Sequence, residues 1–420
     1  MNIQAPPRLF DEYTLPAYLG SVPSVAALLG GRPDSWQAKE IGDGNVNYVF
    51  EVTGPAGRVC VKQAMPYVRV SGASWPLTPL RARYEYRALQ EHGGVVPERV
   101  PRVLHYDSGM SLLVTEFLTP HIVLRQGLLQ GTHYPRLAGQ LAHYLARSLF
   151  LTSDLACAAP RKRALVAEFS GNTEMTRIME DMIFTEIYHD HHRNRWTSPH
   201  LDTTVERLRK DAALKIAVSR LKLRYLTGAD ALLHGDLHTG SILVTEDDTR
   251  VIDQEFAVHG PMGFDIGSLF AHLLLAYFAL DAHGSGVAAS PVRRTEQQEW
   301  LLRVVDDVWQ GFASGFTTLW EQADQGDAYP RALFADTRGL RAERERYLNA
   351  VLADTIGFCG AEIIRRIIGM AHVAELESIS SDEDRAACEL RCLRLATDLL
   401  TRPAAYREPG ALTSAAGALR

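Results

Sequence analysis

This chain has no excess of basic charge: over 420 residues, 44 lysines and arginines stand against 50 aspartates and glutamates, a formal charge of −6. Nucleic-acid binders gain affinity by neutralising phosphates with clustered Lys and Arg, so that class is disfavoured. The tightest basic run, Arg161-Lys162-Arg163, reads as a solvated face. Cysteine is scarce and odd in number, five residues with no Cys-x-x-Cys pair, which points to buried thiols in a reducing compartment. Long apolar runs are lacking too. The longest, FAHLLLAYFAL at 270–280, is too short to cross a bilayer. The start, MNIQAPPRLFDEY, has Pro and acids where a signal peptide needs a basic start and an apolar run. The expectation is a cytoplasmic protein with neither nucleic-acid nor membrane partners.

What is present is the composition of a folded globular protein, 46% hydrophobic and 22% charged, and a length that favours two lobes over one core. Residues 1–30 read as one or two short helices broken by prolines. From about 38 to 120 the texture is β, with YVFEV (48–52), RVCVKQA (58–64), VPRVLHYD (100–107) and SLLVTEFL (111–118) separated by Gly and Pro turns. One helix, roughly 80–92, interrupts them, with Leu80, Tyr84 and Leu89 at helical spacing. After 120 the chain is mostly helical, for example over 137–155, with strand-like pieces at 231–237 and 241–256 and helices again to about 400. The fold class is therefore α+β: a small β-rich N-terminal lobe over 1–118, a hinge near 116–120, and a larger helical lobe over 119–420.

Three constellations carry chemistry. In Glu40-Ile41-Gly42-Asp43-Gly44-Asn45-Val46-Asn47-Tyr48-Val49-Phe50, two glycines precede a strand. Such a turn either lets backbone N–H groups approach phosphate oxygens or is an ordinary hairpin. Lys62 ends an apolar strand, so if buried it must meet a carboxylate or phosphate, and Glu85 on the next helix is the available partner; a solvated strand lysine is the alternative. The strongest is His234-Gly235-Asp236-Leu237-His238-Thr239-Gly240-Ser241 followed by Val251-Ile252-Asp253-Gln254-Glu255. Two aspartates that each leave an apolar strand for a polar turn can orient an attacking hydroxyl and hold Mg²⁺ on nucleotide phosphates, the two demands of phosphoryl transfer. Capping of turns by these aspartates is the alternative.

With these residues the sequence resembles the protein-kinase-like fold of small-molecule phosphotransferases, which includes aminoglycoside and choline kinases, and most closely the methylthioribose kinase family. The resemblance runs in order through 42–47, Ser74-Trp75-Pro76-Leu77-Thr78 with Arg81-Ala82-Arg83, 234–241, 253–268 and the paired arginines of AEIIRRIIGMAH at 361–372. It implies a bilobal ATP- and Mg²⁺-dependent kinase acting on the 1-hydroxyl of 5-methylthioribose, a methionine-salvage step, with a homodimer as the family's assembly. A same-fold enzyme acting on a 5-deoxyribose-like sugar, a nucleoside or an antibiotic hydroxyl is the alternative, as is a non-catalytic nucleotide-binding module. By resemblance Asp236 is the catalytic base and Asp253 and Glu255 hold the metal. Lys62, oriented by Glu85, holds the α/β-phosphates, Gly42, Gly44, Asn45 and Asn47 cover the nucleotide, and Thr115–Leu118, with Glu116 and Leu118, is the adenine hinge. Arg365 and Arg366 serve the sugar and the transferring phosphoryl group.

Physics bears on the doublet independently. Glu362, Arg365 and Arg366 are the formal charges of an otherwise apolar helix, and adjacent guanidinium groups need an anion between them, phosphate being the natural one; a salt bridge to surface acids is the alternative. Trp75, expected in an exposed loop, either closes over substrate or packs. Four positions depart from the family pattern: Ser241 where relatives carry Asn, Ala73 where an acid is expected, Gln254 for Pro and Phe117 for Asp. Glu255 is the expected compensation for Ser241 at the metal. His189-Asp190-His191-His192 reads as a solvated helix end rather than a metal site, and His259 and His272 as loop and core residues.

Overall fold

The computed structural model describes residues 7–41, 46–282, 290–323, 326–334, 337–408 and 410–420. The chain divides into two compact units, one of 1–120 with 172–175 and 250–257, the other of 121–171, 176–249 and 258–420. The segment bearing Asp253 and Glu255 therefore groups with the first unit.

The first unit opens with helices α1 (Leu15–Gly20) and α2 (Pro23–Leu29), each with a proline in its first turn, where the missing N–H costs nothing. Strands β1 (Gln37–Glu40), β2 (Tyr48–Thr53) and β3 (Arg58–Gln63) follow, then a hairpin of β4 (Tyr67–Val68) and β5 (Gly72–Pro76), helix α3 (Arg81–Val95), and strands β6 (Val103–Asp107) and β7 (Leu112–Glu116). The main sheet is antiparallel in the order β1-β2-β3-β7-β6. Successive side chains of a strand face opposite ways. Val59 and Val61 accordingly pack with Phe50, Val52, Leu112 and Val114 against Leu15, Leu19, Val25 and Leu29 of α1 and α2. Lys62, one position on, turns to the other face, toward Glu85 of α3. Buried Gln63 ties down the chain start, accepting from Phe10 N–H at 3.0 Å and donating to the Arg8 carbonyl at 2.8 Å.

The second unit is mainly helical: α4 (Leu124–Leu129), α5 (Leu137–Leu151), α6 (Ala159–Phe169), most of α7 (Thr173–Phe184), α8 (Asp202–Lys210), α9 (Ala212–Thr227), α10 (Gly263–Ala279), α11 (Pro291–Gln322), α12 (Thr337–Ile368), α13 (Ala374–Glu377), α14 (Asp382–Thr401) and α15 (Ala411–Ala418). Short antiparallel pairs join β8 (Ile122–Val123) to β10 (Ile242–Val244) and β9 (Ala231–Leu232) to β12 (His259–Gly260), and β11 (Thr249–Val251) leads into 250–257. The strand expected over 231–237 is thus only two residues long, because the N–H groups of His234 and Gly235 are taken by a side chain rather than a ladder.

Helix α10 is buried at every position and packs against α12, which packs in turn on α14. Glycine makes the first contact possible: a Cβ at Gly263 would lie 2.5 Å from the Thr355 nitrogen, and one at Gly267 2.6 Å from the Thr355 carbonyl oxygen. Among the described residues one helix, Arg338–Ile368, is long and apolar enough to cross a membrane, and 67% of its most apolar window is buried inside the protein. The α+β class, β-rich before 120 and mostly helical beyond, is as the sequence predicts. All five cysteines are free thiols.

Candidate active site

In the first unit, strand β3 and helix α3 bring Lys62 and Glu85 together with Nζ 2.8 Å from Oε2, and Lys62 also binds Asp253. Glu85, Asp253 and Glu255 each offer an oxygen within 4.8 Å of the others. The Asp253 side chain is 44% exposed whereas that of Glu85 is 6% and that of Glu255 is 3%, so Asp253 presents the cluster to solvent. Asp253 adopts φ +74°, a left-handed conformation that Asp tolerates better than most residues but that still stores strain. Burial opposes the Lys62 charge, yet Asp253, Glu85 and Glu255 outweigh it and hold the ammonium above its ordinary value. Burial pushes Glu85 up to about 7 despite Lys62, with Asp253 and Glu255 adding to the rise, and Glu255 is raised by burial as well.

Glu255 is fixed from several sides. Asn47 donates to its Oε2 at 2.7 Å, and Arg81, with no exposed surface, lies 3.6 Å from the same atom. Asn172 donates to the backbone carbonyls of Glu255 and Ala257 at 2.9 and 3.0 Å. Asn47, expected on the nucleotide, is thus engaged by Glu255. Gly42, Gly44 and Asn45 lie outside the described residues. Trp75 lies in strand β5 and is half-buried, which corrects the expected exposed loop: the segment pairs with β4 as a hairpin. Glu116 ends β7 with Oε1 accepting the Arg102 N–H at 2.9 Å, and Leu118 follows it, half-buried.

In the second unit the loop after β9 carries Asp236. Asp265, from the first turn of α10, accepts the N–H groups of His234 at 2.7 Å and Gly235 at 3.0 Å, and Gly235 sits at φ +87°. Ser241, in place of Asn, folds the loop on itself: its Oγ accepts the His238 N–H at 3.0 Å and donates to the Asp236 carbonyl at 3.2 Å. Asp236 Oδ1 lies 3.1 Å from Arg366 Nη2 and 3.7 Å from Arg365 Nη1, and Oδ2 lies 3.5 Å from His238 Nε2. Burial would raise this carboxyl, but His238, Arg366 and Arg365 prevail and hold it well below its ordinary range.

The doublet on α12 has a resident anion. Glu362 accepts from Arg365 Nη1 at 2.9 Å and Arg366 Nε at 2.6 Å, all three side chains being buried. The anion between the guanidiniums is therefore neither a surface acid nor reserved for phosphate. Although buried, Glu362 is drawn down to about 2 by Arg365 and Arg366. His272, a buried core residue of α10 as expected, places Nε2 3.5 Å from Glu362 and stacks on His238 with ring centroids 5.0 Å apart. Burial and Arg366 hold His272 well below its ordinary value, so it is neutral near pH 7. In the His189–His192 segment, His191 Nδ1 lies 3.5 Å from Glu186 and the His189 carbonyl accepts from Asn194 at 3.1 Å.

Sequence reasoning overlooked Asp265 and the contacts made by Arg81, His272 and Glu362. The signal for Glu362 was its spacing of three and four residues from the arginines, the spacing of neighbours on a helix surface. Asp265 gave no local signal and Arg81 none for its role, since Asp265's partners and most of Arg81's come from other stretches of chain.

The arrangement offers one cluster of hard oxygen donors around a lysine and another that pairs an ionised carboxylate with two guanidiniums. Comparison with known proteins agrees in kind. Residues 37–285 match the model of the phosphotransferase enzyme family. The chain is 43% identical to methylthioribose kinase 1 of rice (Oryza sativa subsp. japonica), covering 94% of this chain and 91% of that one, and 43% identical to methylthioribose kinase of Escherichia coli, covering 94% of each. A solved ethanolamine kinase of Plasmodium vivax is 13% identical with a TM-score of 0.46, covering 91% of this chain and 89% of that one, too distant to bear on substrate.

Proposed function

The chain belongs to the methylthioribose kinases, within the phosphotransferase enzyme family, and we propose that it transfers the γ-phosphoryl group of ATP to the 1-hydroxyl of 5-methylthioribose, giving 5-methylthioribose 1-phosphate and ADP. It is an ATP-dependent small-molecule kinase. The observation that most supports the reading at the level of residues is the ion-paired set of Asp236, Arg365 and Arg366.

Asp236 is the base. Held ionised by its cationic neighbours, it accepts the acceptor's O–H and orients that oxygen for attack. Its weak proton affinity suits a loose transition state, in which the hydroxyl needs to give up its proton only late. Arg365 and Arg366 present N–H groups to the sugar and to the charge spread over the transferring phosphoryl oxygens. Lys62, oriented by Glu85, holds the α/β-phosphates. Gly42, Gly44 and Asn45 cover the nucleotide, Trp75 contacts the sugar, and 115–118 contacts adenine. No covalent intermediate on the protein is required, because positioning and charge neutralisation supply the catalysis.

Asp253 and Glu255 are the residues that would hold Mg²⁺. The donor set fits, being all carboxylate oxygen with no nitrogen or sulfur ligand, one oxygen from each lying within 4.8 Å of the other and of Glu85. When bound there, the ion would neutralise the phosphate oxygens and help to align them for transfer.

The test is turnover with ATP on a panel of 5-methylthioribose, 5-deoxyribose, a nucleoside and an aminoglycoside, with the product located by phosphorus NMR. The expected result is a 1-phosphate from methylthioribose with the highest kcat/KM. A better acceptor elsewhere in the panel would overturn the substrate assignment, and ATP bound but never consumed would overturn the kinase.

A further inference from the structure

Arg81, which the sequence singles out without a role, is the point where several stretches of the first unit meet. Its Nη1 donates to the carbonyls of Met65 at 2.9 Å, Thr78 at 2.7 Å and Leu77 at 3.5 Å. Its Nη2 donates to Val46 at 3.3 Å and Tyr67 at 3.5 Å, and its Nε to Asn47 Oδ1 at 2.9 Å. Met65–Tyr67 and Leu77–Thr78 are the two feet of the β4–β5 hairpin that carries Trp75. Val46 and Asn47 lead into β2.

The chemistry of these groups gives the network a direction. A guanidinium only donates, so Arg81 Nε–H fixes the Asn47 amide with its oxygen inward and its NH₂ outward. That NH₂ donates to Glu255 Oε2 at 2.7 Å. One buried side chain thereby sets both the feet of the hairpin and, through a single amide, the orientation of an acid cluster residue. Lysine cannot substitute: a single ammonium with three donors does not span carbonyls that a planar fork of five reaches.

We infer that Arg81 is a positioning residue that couples the Trp75 hairpin to the Glu255 carboxylate, so that seating a metal–nucleotide complex at Asp253 and Glu255 and ordering the hairpin are one linked event. The inference rests on the reading of Glu255 as a metal ligand given above. Hairpin residues placed over substrate would then be held in position only when the acid cluster is correctly set.

The experiment compares the unaltered protein with R81K, N47S and E255Q, and with R81K and N47S each combined with E255Q. Amide hydrogen exchange of the nucleotide-free proteins reads the hairpin directly, and calorimetry reads ADP affinity with and without Mg²⁺. Arg81→Lys is expected to speed exchange across 65–78 while the rest of the unit keeps its protection. It should also weaken ADP binding about tenfold or more in the presence of Mg²⁺, leave metal-free ADP binding within about twofold, and add nothing in the E255Q background. Asn47→Ser, which leaves Arg81 and the hairpin feet in place, is expected to show the Mg²⁺-specific loss without faster exchange. Equal weakening of ADP with and without Mg²⁺ in both variants, as a merely structural role would give, overturns the coupling, as does wild-type Mg²⁺·ADP affinity in both beside a defective E255Q. An E255Q protein whose ADP binding keeps its full Mg²⁺ dependence overturns the metal reading itself, and the coupling with it.

Discussion

Arg366 Nη2 lies 3.1 Å from Asp236 Oδ1, so the carboxylate proposed as the base is itself paired with a guanidinium of the protein. Glu362 holds the same guanidinium through Nε at 2.6 Å and Arg365 through Nη1 at 2.9 Å. Two carboxylates against two guanidiniums leave this set neutral. Under the proposed role, a phosphoryl group reaching it would have to compete for N–H donors already in use.

Asp236→Asn separates base from nucleotide site. The amide keeps the shape and loses the charge and the proton-accepting capacity. The expected result is a fall in kcat of about 10²–10⁴-fold with ATP affinity changed less than about twofold, checked by steady-state kinetics and calorimetry. Loss of ATP binding in parallel with kcat would remove Asp236 from the acceptor side of the reaction.

Glu362→Gln tests the resident anion. It leaves two buried guanidiniums with Asp236 as their nearby carboxylate, and removing one partner of a buried ionic set costs about 3–5 kcal/mol. Urea denaturation is expected to show a loss of that order. Because the variant carries an uncompensated positive charge, inorganic phosphate should raise its Tm more than it raises that of the unaltered protein. Equal phosphate shifts in the two proteins would mean that the doublet is not open to anions.

Much of this was legible in the sequence, and what was not has a physical pattern. Strands β2, β3, β6 and β7 were readable because β-branched and aromatic runs bounded by Gly and Pro leave few alternatives. The contact of Lys62 with Glu85 followed from the need of a buried lysine for a counter-charge. Asp236, Asp253 and Glu255 stood out by type and spacing. The β4–β5 hairpin read as a loop because Ser71-Gly72-Ala73-Ser74 has little β character, and Arg81, which secures its feet, lies in the next helix. Asp265 escaped notice because its task, accepting two backbone N–H groups 30 and 31 residues earlier, exists only once α10 packs beneath the loop. Residues proposed to act on substrate announce themselves by type, whereas residues that hold them in place are visible only in three dimensions.

Asp265 gives the pH prediction. Burial pushes its carboxyl up to about 7 from an ordinary value of 3.8, even though His234 and Gly235 donate to the ionised form. Between those values the folded protein holds a proton that the unfolded chain has released, so stability falls as pH rises through the window, by up to about 1.4 kcal/mol per pH unit. Above pH 7 both states are ionised and the loss is complete. Asn cannot ionise, so the stability of the unaltered protein minus that of Asp265→Asn is expected to decline from pH 5 to 7 and then level off, as read by urea denaturation across pH 5–8. The activity has the opposite sense. The ionised carboxylate accepts both N–H groups of the Asp236 loop, whereas the protonated form gives up acceptor capacity, so kcat should drop on the acid side with a midpoint near 7. The Asn variant should be slower throughout and lack that limb. A stability difference that stays flat across the range would place Asp265 at an ordinary carboxyl value and remove it as the source of any acid limb in kcat.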